Sequence, residues 1–357
     1  MIVLRLNSYY LPPDNRLAIF IRTIEAERLN IADMEETERG YYEPILSITT
    51  LSQSLNLSVE EIAPKDWERI DENEAIRQTG DILVNELVPN SKTRFKGTSF
   101  EINSWGLRDK EYTLDKPLNT FRIAFLGASF EMASGVEADS GYEAVLERLL
   151  NKNNPSTKFD NYEILNFAVG GYGLTRCVKV LESKVLKFQP NAAIYVAHTR
   201  ELNRTLGRLY KIYTTGADLE YDYLKNITQK IRQEEGIDVP RDIFMRALND
   251  SSLALVKWGY TQFAKICNEN NITPIWVFLP TLEGLETKEE VSQLSRLAAE
   301  AGFKVTIDLS SVYDGYDLLS LWVQPWDRHP NVKGHHIIAE MLFNKILNHK
   351  NQLFDQQ

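Results

Sequence analysis

Between Arg16 and about Leu55, apolar side chains recur at helical spacing among many charges: Leu17, Phe20, Ile21, Ile24, Leu29, Ile31 and Met34, then Tyr41, Tyr42, Ile45 and Leu46. That periodicity predicts amphipathic helices. Ser58-Val-Glu-Glu61 has the spacing of a capping box, and Pro64 leaves room after it for only a short turn. Residues 63–97 mix charges, Pro and Gly and read as connecting structure. Beyond Pro117 the texture changes to short β-rich apolar runs alternating with longer helical patterns, the signature of a parallel sheet covered on both faces. Strands are expected at 121–126, 162–167, 192–197, 272–279 and 303–309, with helices near 142–150, 174–187, 253–268, 288–301 and 332–347. Five strands with intervening helices predict an α/β, doubly wound domain of flavodoxin size. The segment 205–250 is longer than an ordinary connection and reads as a helical insertion near the mouth of the site. The expected division is therefore a mainly helical extension over 1–100 and an α/β domain over 101–357.

Composition narrows the function more than the fold. The 357 residues are 43% hydrophobic and 25% charged, enough apolar material for a core. A formal net charge of -10 without basic clusters speaks against a nucleic-acid partner. No apolar run approaches the ~20 residues of a membrane helix, and no secretion signal stands at Met1–Leu6, so no membrane partner and a cytoplasmic location are expected. Cys177 and Cys267 are too few and too far apart for a disulfide framework and read as small buried hydrophobes. Five scattered histidines without carboxylates at ligand spacing predict neither a metal nor a cofactor.

In an open parallel sheet, ligands meet the carboxyl ends of the strands. The first strand runs into Gly127-Ala128-Ser129, which presents a hydroxyl at a turn, either as a helix cap or as a reactive group. The second ends in Asn166-Phe-Ala-Val-Gly170-Gly171-Tyr-Gly173, where glycines permit tight turning or let N–H groups face a developing negative charge. A dinucleotide fingerprint would require glycine where Arg176 stands, and the loop lacks the Lys-Ser/Thr of a P-loop. Near the C-terminus comes Asp327-Arg328-His329-Pro330, directly ahead of an apolar helical pattern. An Asp two residues before a His can fix the imidazole tautomer from the same loop, although a capping Asp beside a surface His has the same spacing. Pro330 keeps His329 out of helical geometry, and His335 and His336 read as structural or solvated. A serine hydroxyl needs a base, and His329 is that base by elimination.

In these blocks the chain resembles the SGNH, or GDSL-like, hydrolase superfamily, over roughly Ile102 to Leu347. The matching segments are Gly127-Ala-Ser129, Gly171, His198-Thr-Arg200-Glu201 and Asp327-Arg-His329. The lead-in Ile102-Asn-Ser-Trp-Gly106-Leu-Arg108-Asp-Lys-Glu111 is similar to longer members with an N-terminal extension. The resemblance implies a three-layer α/β/α domain with a five-stranded parallel sheet. In it Ser129 attacks an acyl carbonyl, His329 is general base then acid, and Asp327 orients His329. It further implies an oxyanion hole from the Ser129 and Gly171 N–H groups and a third donor, with Gly170 and Arg200 in substrate binding. Two positions depart from the family: Arg200 stands where its Asn is expected, and Ala128 where its usual Asp is. Arg200 would then be an oxyanion donor or a clamp for an anionic substrate, against a plain salt bridge with Glu201 or another acid.

The resemblance therefore predicts a serine esterase acting on an O-acyl carbohydrate or a small metabolite ester. The nearest alternative is an acyltransferase that passes the same acyl group from a donor, which could be carrier-bound, to a small acceptor. From a different class, a non-catalytic binding domain would keep the fold without turnover. Oligomeric state is not encoded in any motif.

Overall fold

The computed structural model describes Trp67 and residues 70–354. The amphipathic pattern over 16–55 and the capping box at Ser58 lie outside the described residues. From Ile76 the chain forms two small antiparallel hairpins, β1 (Ile76–Gln78) with β2 (Asn85–Leu87), and β3 (Lys92–Phe95) with β4 (Thr98–Glu101). Here the sequence pattern predicts only connecting structure. These strands are three or four residues long, too short for alternation to stand out.

The main sheet comes next as β5 (Thr120–Leu126), β6 (Asn161–Asn166), β7 (Ala192–His198), β8 (Thr273–Leu279) and β9 (Val305–Asp308). Its strands are all parallel, in the order β6-β5-β7-β8-β9. This is the flavodoxin-like order, and the topological switch point falls beside β5. The sequence expectation of a five-stranded parallel sheet in an α/β fold holds, with strand ends displaced by a residue or two.

Every residue of β5 and β7 is buried, as a strand covered on both faces requires. Alternate side chains serve two cores. Ala124, Leu126, Tyr195, Trp276 and Phe278 join Val178, Val256, Phe263 and Leu294 from helices on one face. Phe121, Ile123, Phe125, Ile194 and Val277 join Leu146, Ile338 and Leu342 on the other. The helices in chain order are α1 (Tyr142–Asn153), α2 (Leu174–Ser183), α3 (Glu201–Thr214), α4 (Asp222–Glu234), α5 (Arg241–Leu248), α6 (Ser252–Glu269), α7 (Lys288–Ala301), α8 (Val332–Asn348) and the single turn α9 (Lys350–Leu353). Helices α3 to α5 close a third apolar cluster that includes Leu209, Tyr213, Leu224 and Phe244, with Ile82 and Val84 from the hairpin region. A last short ladder, β10 (Trp322–Gln324) with β11 (Asp327–Pro330), leads into α8.

Candidate active site

After Leu126 the backbone turns tightly, with Met132 N donating to Ala128 O at 2.9 Å and Ser134 N to Ser129 O at 3.0 Å. This turn carries Ser129 and is pinned from beneath by its own Glu131. The Glu131 carboxylate accepts Ala128 N–H at 2.7 Å and the Tyr142 hydroxyl at 2.6 Å, and stands 3.2 Å from His198 Nε2. Burial pushes this carboxyl up, but the His198 ring, the Tyr142 hydroxyl and the Ala128 N–H together hold it below its ordinary value. Gly127 is the residue that makes room: a Cβ there would lie 2.3 Å from the Glu131 carboxylate. A glycine at 127 therefore belongs to the geometry of the turn as well as to its sequence.

Asp327 and His329 lie in β11 rather than on the open loop the sequence suggested, because the segment pairs back on Trp322 and Gln324. Two residues apart in a strand, their side chains share a face. His329 Nδ1 hydrogen-bonds to Asp327 Oδ1, and the His329 N–H donates to the same oxygen at 3.0 Å. The other carboxylate oxygen meets two groups from the N-terminal part of the chain: Lys96 Nζ at 2.6 Å and Trp67 Nε1 at 3.1 Å. Burial raises the Asp327 carboxyl, but the His329 ring and the Lys96 ammonium overcome it and hold the group far below the carboxylate range. The Asp327 carboxylate accepts a hydrogen held on Nδ1, which leaves Nε2 as the ring nitrogen available for proton transfer.

Ser129, Asp327 and His329 are 3%, 3% and 0% exposed. The residue after Ser129, Phe130, sets its ring 5.4 Å from that of His329 and 5.3 Å from that of His198, so the β5 turn and β11 meet. In the second-strand loop, Tyr172 N donates to Val169 O, and Gly171 takes φ +82° at the third position of this turn, where glycine is favoured. The Gly170 N–H points at the Met132 sulfur, 3.2 Å away. Arg200 caps α3 in a left-handed conformation, φ 61°, and its N–H donates to Glu290 Oε1 at 2.6 Å. Glu290 of α7 thus meets the Arg200 backbone, while Glu201 turns inward to the Tyr195 hydroxyl and the His198 N–H.

His335 is buried, accepts the Tyr142 N–H at 3.1 Å and is pushed down to about 3 by burial, so it is neutral. His336 lies on the exposed side of α8. Both cysteines are buried. Among the described residues there is no cluster of three or more His, Cys, Asp or Glu able to hold a metal ion, and no helix long and apolar enough to cross a membrane.

Three groups in this arrangement escape a reading of the sequence: Glu131, Lys96 and Trp67. Lys96-Gly97 between two short segments is a turn signal. Nothing in it says that the lysine docks 231 positions downstream, at Asp327. Glu131 offers only an acid between Phe130 and Met132, unusual company for a surface charge.

No family model matches the chain, and no curated protein matches it. Solved structures similar to it include LAE5, an alpha/beta hydrolase enzyme from the metagenome of Lake Arreo, Spain, at 14% identity and TM-score 0.41, covering 63% of this chain and 94% of that one. A two-domain esterase active on acetylated mannans is 14% identical with TM-score 0.41, over 67% of this chain and 51% of its own. A G-D-S-L family lipolytic protein of Desulfitobacterium hafniense DCB-2 is 15% identical with TM-score 0.35, over 63% of this chain and 98% of its own.

Proposed function

We propose that the protein is a serine esterase of SGNH type, with Ser129 as nucleophile, His329 as general base and acid, and Asp327 as the group that orients His329. The observation that carries this reading is the buried Asp327–His329 hydrogen bond with Phe130, next in the chain to Ser129, packed against the imidazole. In the proposed cycle Ser129 Oγ gives its proton to His329 Nε2 as its oxygen bonds to the acyl carbon. The oxyanion so formed is received by the N–H groups of Ser129 and Gly171, neither of which has a partner among the backbone bonds of the described turns. As the tetrahedral centre collapses, the imidazolium proton goes to the departing alcohol oxygen. A water, deprotonated by His329, then releases the acid from the acyl-enzyme. Arg200, with Gly170, is assigned to the substrate side, where a guanidinium would supply a third donor or hold an anionic substituent. The substrate class that suits this chemistry is an O-acyl carbohydrate or small ester, and the cycle calls on neither metal nor cofactor.

One observation favours a second reading. With all three side chains closed from solvent, the acyl-enzyme is shielded from water, which suits transfer to an alcohol or amine acceptor, including transfer from a carrier-bound donor. One experiment addresses both readings. A fluorophosphonate probe should label the wild-type chain and not Ser129→Ala, and ester turnover should fall about 10⁴-fold or more in that variant. Product analysis with and without an acceptor separates ester hydrolysis from transfer. Equal labelling of the two proteins removes Ser129 as nucleophile.

A further inference from the structure

We propose that Lys96, at the turn of the β3–β4 hairpin, is a positioning residue of the Ser129–His329–Asp327 site, its ammonium sharing the Asp327 carboxylate with the imidazole and making the hairpin a working part of the site. The inference rests on the triad reading proposed for Ser129, His329 and Asp327.

Three observations carry it. First, the ammonium is 2.6 Å from Asp327 Oδ2 and 3.2 Å from His329 Nδ1, and Lys96 is only 4% exposed. A lysine this buried is rare unless its charge is matched. Second, the backbone is committed to it. Lys96 and Gly97 have φ 49° and +77°, the two-residue hairpin turn in which both central positions are left-handed and Asn or Gly is the usual occupant. Lysine there costs about 1 kcal/mol of backbone strain, and the strain is explained by where its side chain goes. Third, the carboxylate is fully subscribed: Oδ1 faces the imidazole, and Oδ2 faces Lys96 and the Trp67 indole N–H.

The chemical consequence is one of charge. Asp327 has no proton, so Nδ1 carries one and cannot accept from Lys96. The 3.2 Å approach thus sets a cation beside a ring that becomes a cation when it takes the proton of Ser129. The carboxylate favours that imidazolium and the ammonium opposes it, so removing the ammonium should make the ring easier to protonate. The Phe130 ring is neutral, His335 of α8 is uncharged, and Arg328, next in the strand, turns to Glu283 at 2.9 Å.

The test uses the full chain with isotopically labelled histidine, the His329 signal being assigned by its loss in His329→Gln, and tracks the imidazole through a pH titration. Lys96→Gln, which keeps a donor without the charge, and Lys96→Met should each raise the His329 midpoint by about one pH unit, a tenfold gain in proton affinity. Lys96→Arg should restore the wild-type value. If Lys96→Met does not fold, Lys96→Gln reads the same difference. Identical midpoints in wild type and Lys96→Gln overturn the proposal. Fluorophosphonate labelling, run in parallel, separates the two failures. Ser129-dependent labelling with unmoved midpoints removes Lys96 alone. Moved midpoints without any Ser129-dependent labelling remove the catalytic site, and the positioning role with it.

Discussion

Glu131 shows how one side chain sets the shape of the turn that presents the nucleophile candidate. Its carboxylate occupies the space a side chain at position 127 would need and takes the Ala128 N–H, so the glycine and the acid are one device in two residues. Gly127→Ala should then cost about 1–3 kcal/mol through overpacking. Glu131→Ala should cost about 1–3 kcal/mol, because it leaves the buried Ala128 N–H and Tyr142 hydroxyl without their acceptor. The pair is the sharper test. With the carboxylate gone, the added methyl has room, so Gly127→Ala in the Glu131→Ala background should be nearly neutral, a coupling of about 1–3 kcal/mol by urea denaturation. Simple additivity of the two costs would show that the turn does not depend on this contact.

Between elements, the join from β11 to α8 fixes where His329 points. Asn331 caps α8 with its side-chain oxygen, accepting Gly334 N–H at 3.1 Å, while its amide donates to Ser320 O at 2.9 Å and Trp322 O at 3.1 Å. Asn331→Ala should lower stability by about 1–2 kcal/mol, and Asn331→Asp, which keeps the cap and loses the two donors, should fall between it and wild type. Thermal unfolding of the three proteins checks this order, and an alanine variant as stable as wild type would refute it. The same elements show what a sequence alone reveals. The central strands β5, β7 and β8 are legible because they are seven residues long and buried on both faces, and so read as largely apolar runs. Asp327 and His329 are legible because a spacing of two places both side chains on one side of any extended segment. Ser129 is legible only through its place at a strand end. The β3–β4 hairpin is not: its strands have four residues each, and the bond that gives it meaning spans 233 positions, from Lys96 to His329. A contact of that range leaves no periodic trace. The expected boundary at residue 100 likewise cuts between Lys96 and the groups it meets.

Across the whole molecule, buried carboxyls fall into two sets with opposite pH behaviour. Asp327 and Glu131 are held charged by cationic or donor neighbours, so the stability they contribute is present above their unfolded values and is lost as pH falls. Asp109, Glu143 and Glu201 are pushed above their ordinary values, chiefly by burial, and contribute in the other direction. The clearest case is Asp109, where the segment leading into the sheet meets α1 and the end of β6. Burial pushes its carboxyl up to about 7, with the Glu147 charge adding to the rise against the lowering effect of the Asn166 N–H, 2.9 Å away. Between about pH 4 and about pH 7 the folded chain keeps a proton on this group that the unfolded chain has released. Stability therefore declines with rising pH across that window, by at most about 1.4 kcal/mol per pH unit for one proton. Asp109→Asn keeps an oxygen for the Asn166 N–H and the Tyr112 hydroxyl and removes the titration. Urea denaturation of both proteins at about pH 5 and about pH 7.5 should show a smaller loss in the variant, and its relative advantage should grow toward the higher pH. An unchanged slope would mean that Asp109 is already ionised at the lower pH and that its burial is compensated by donors other than these two.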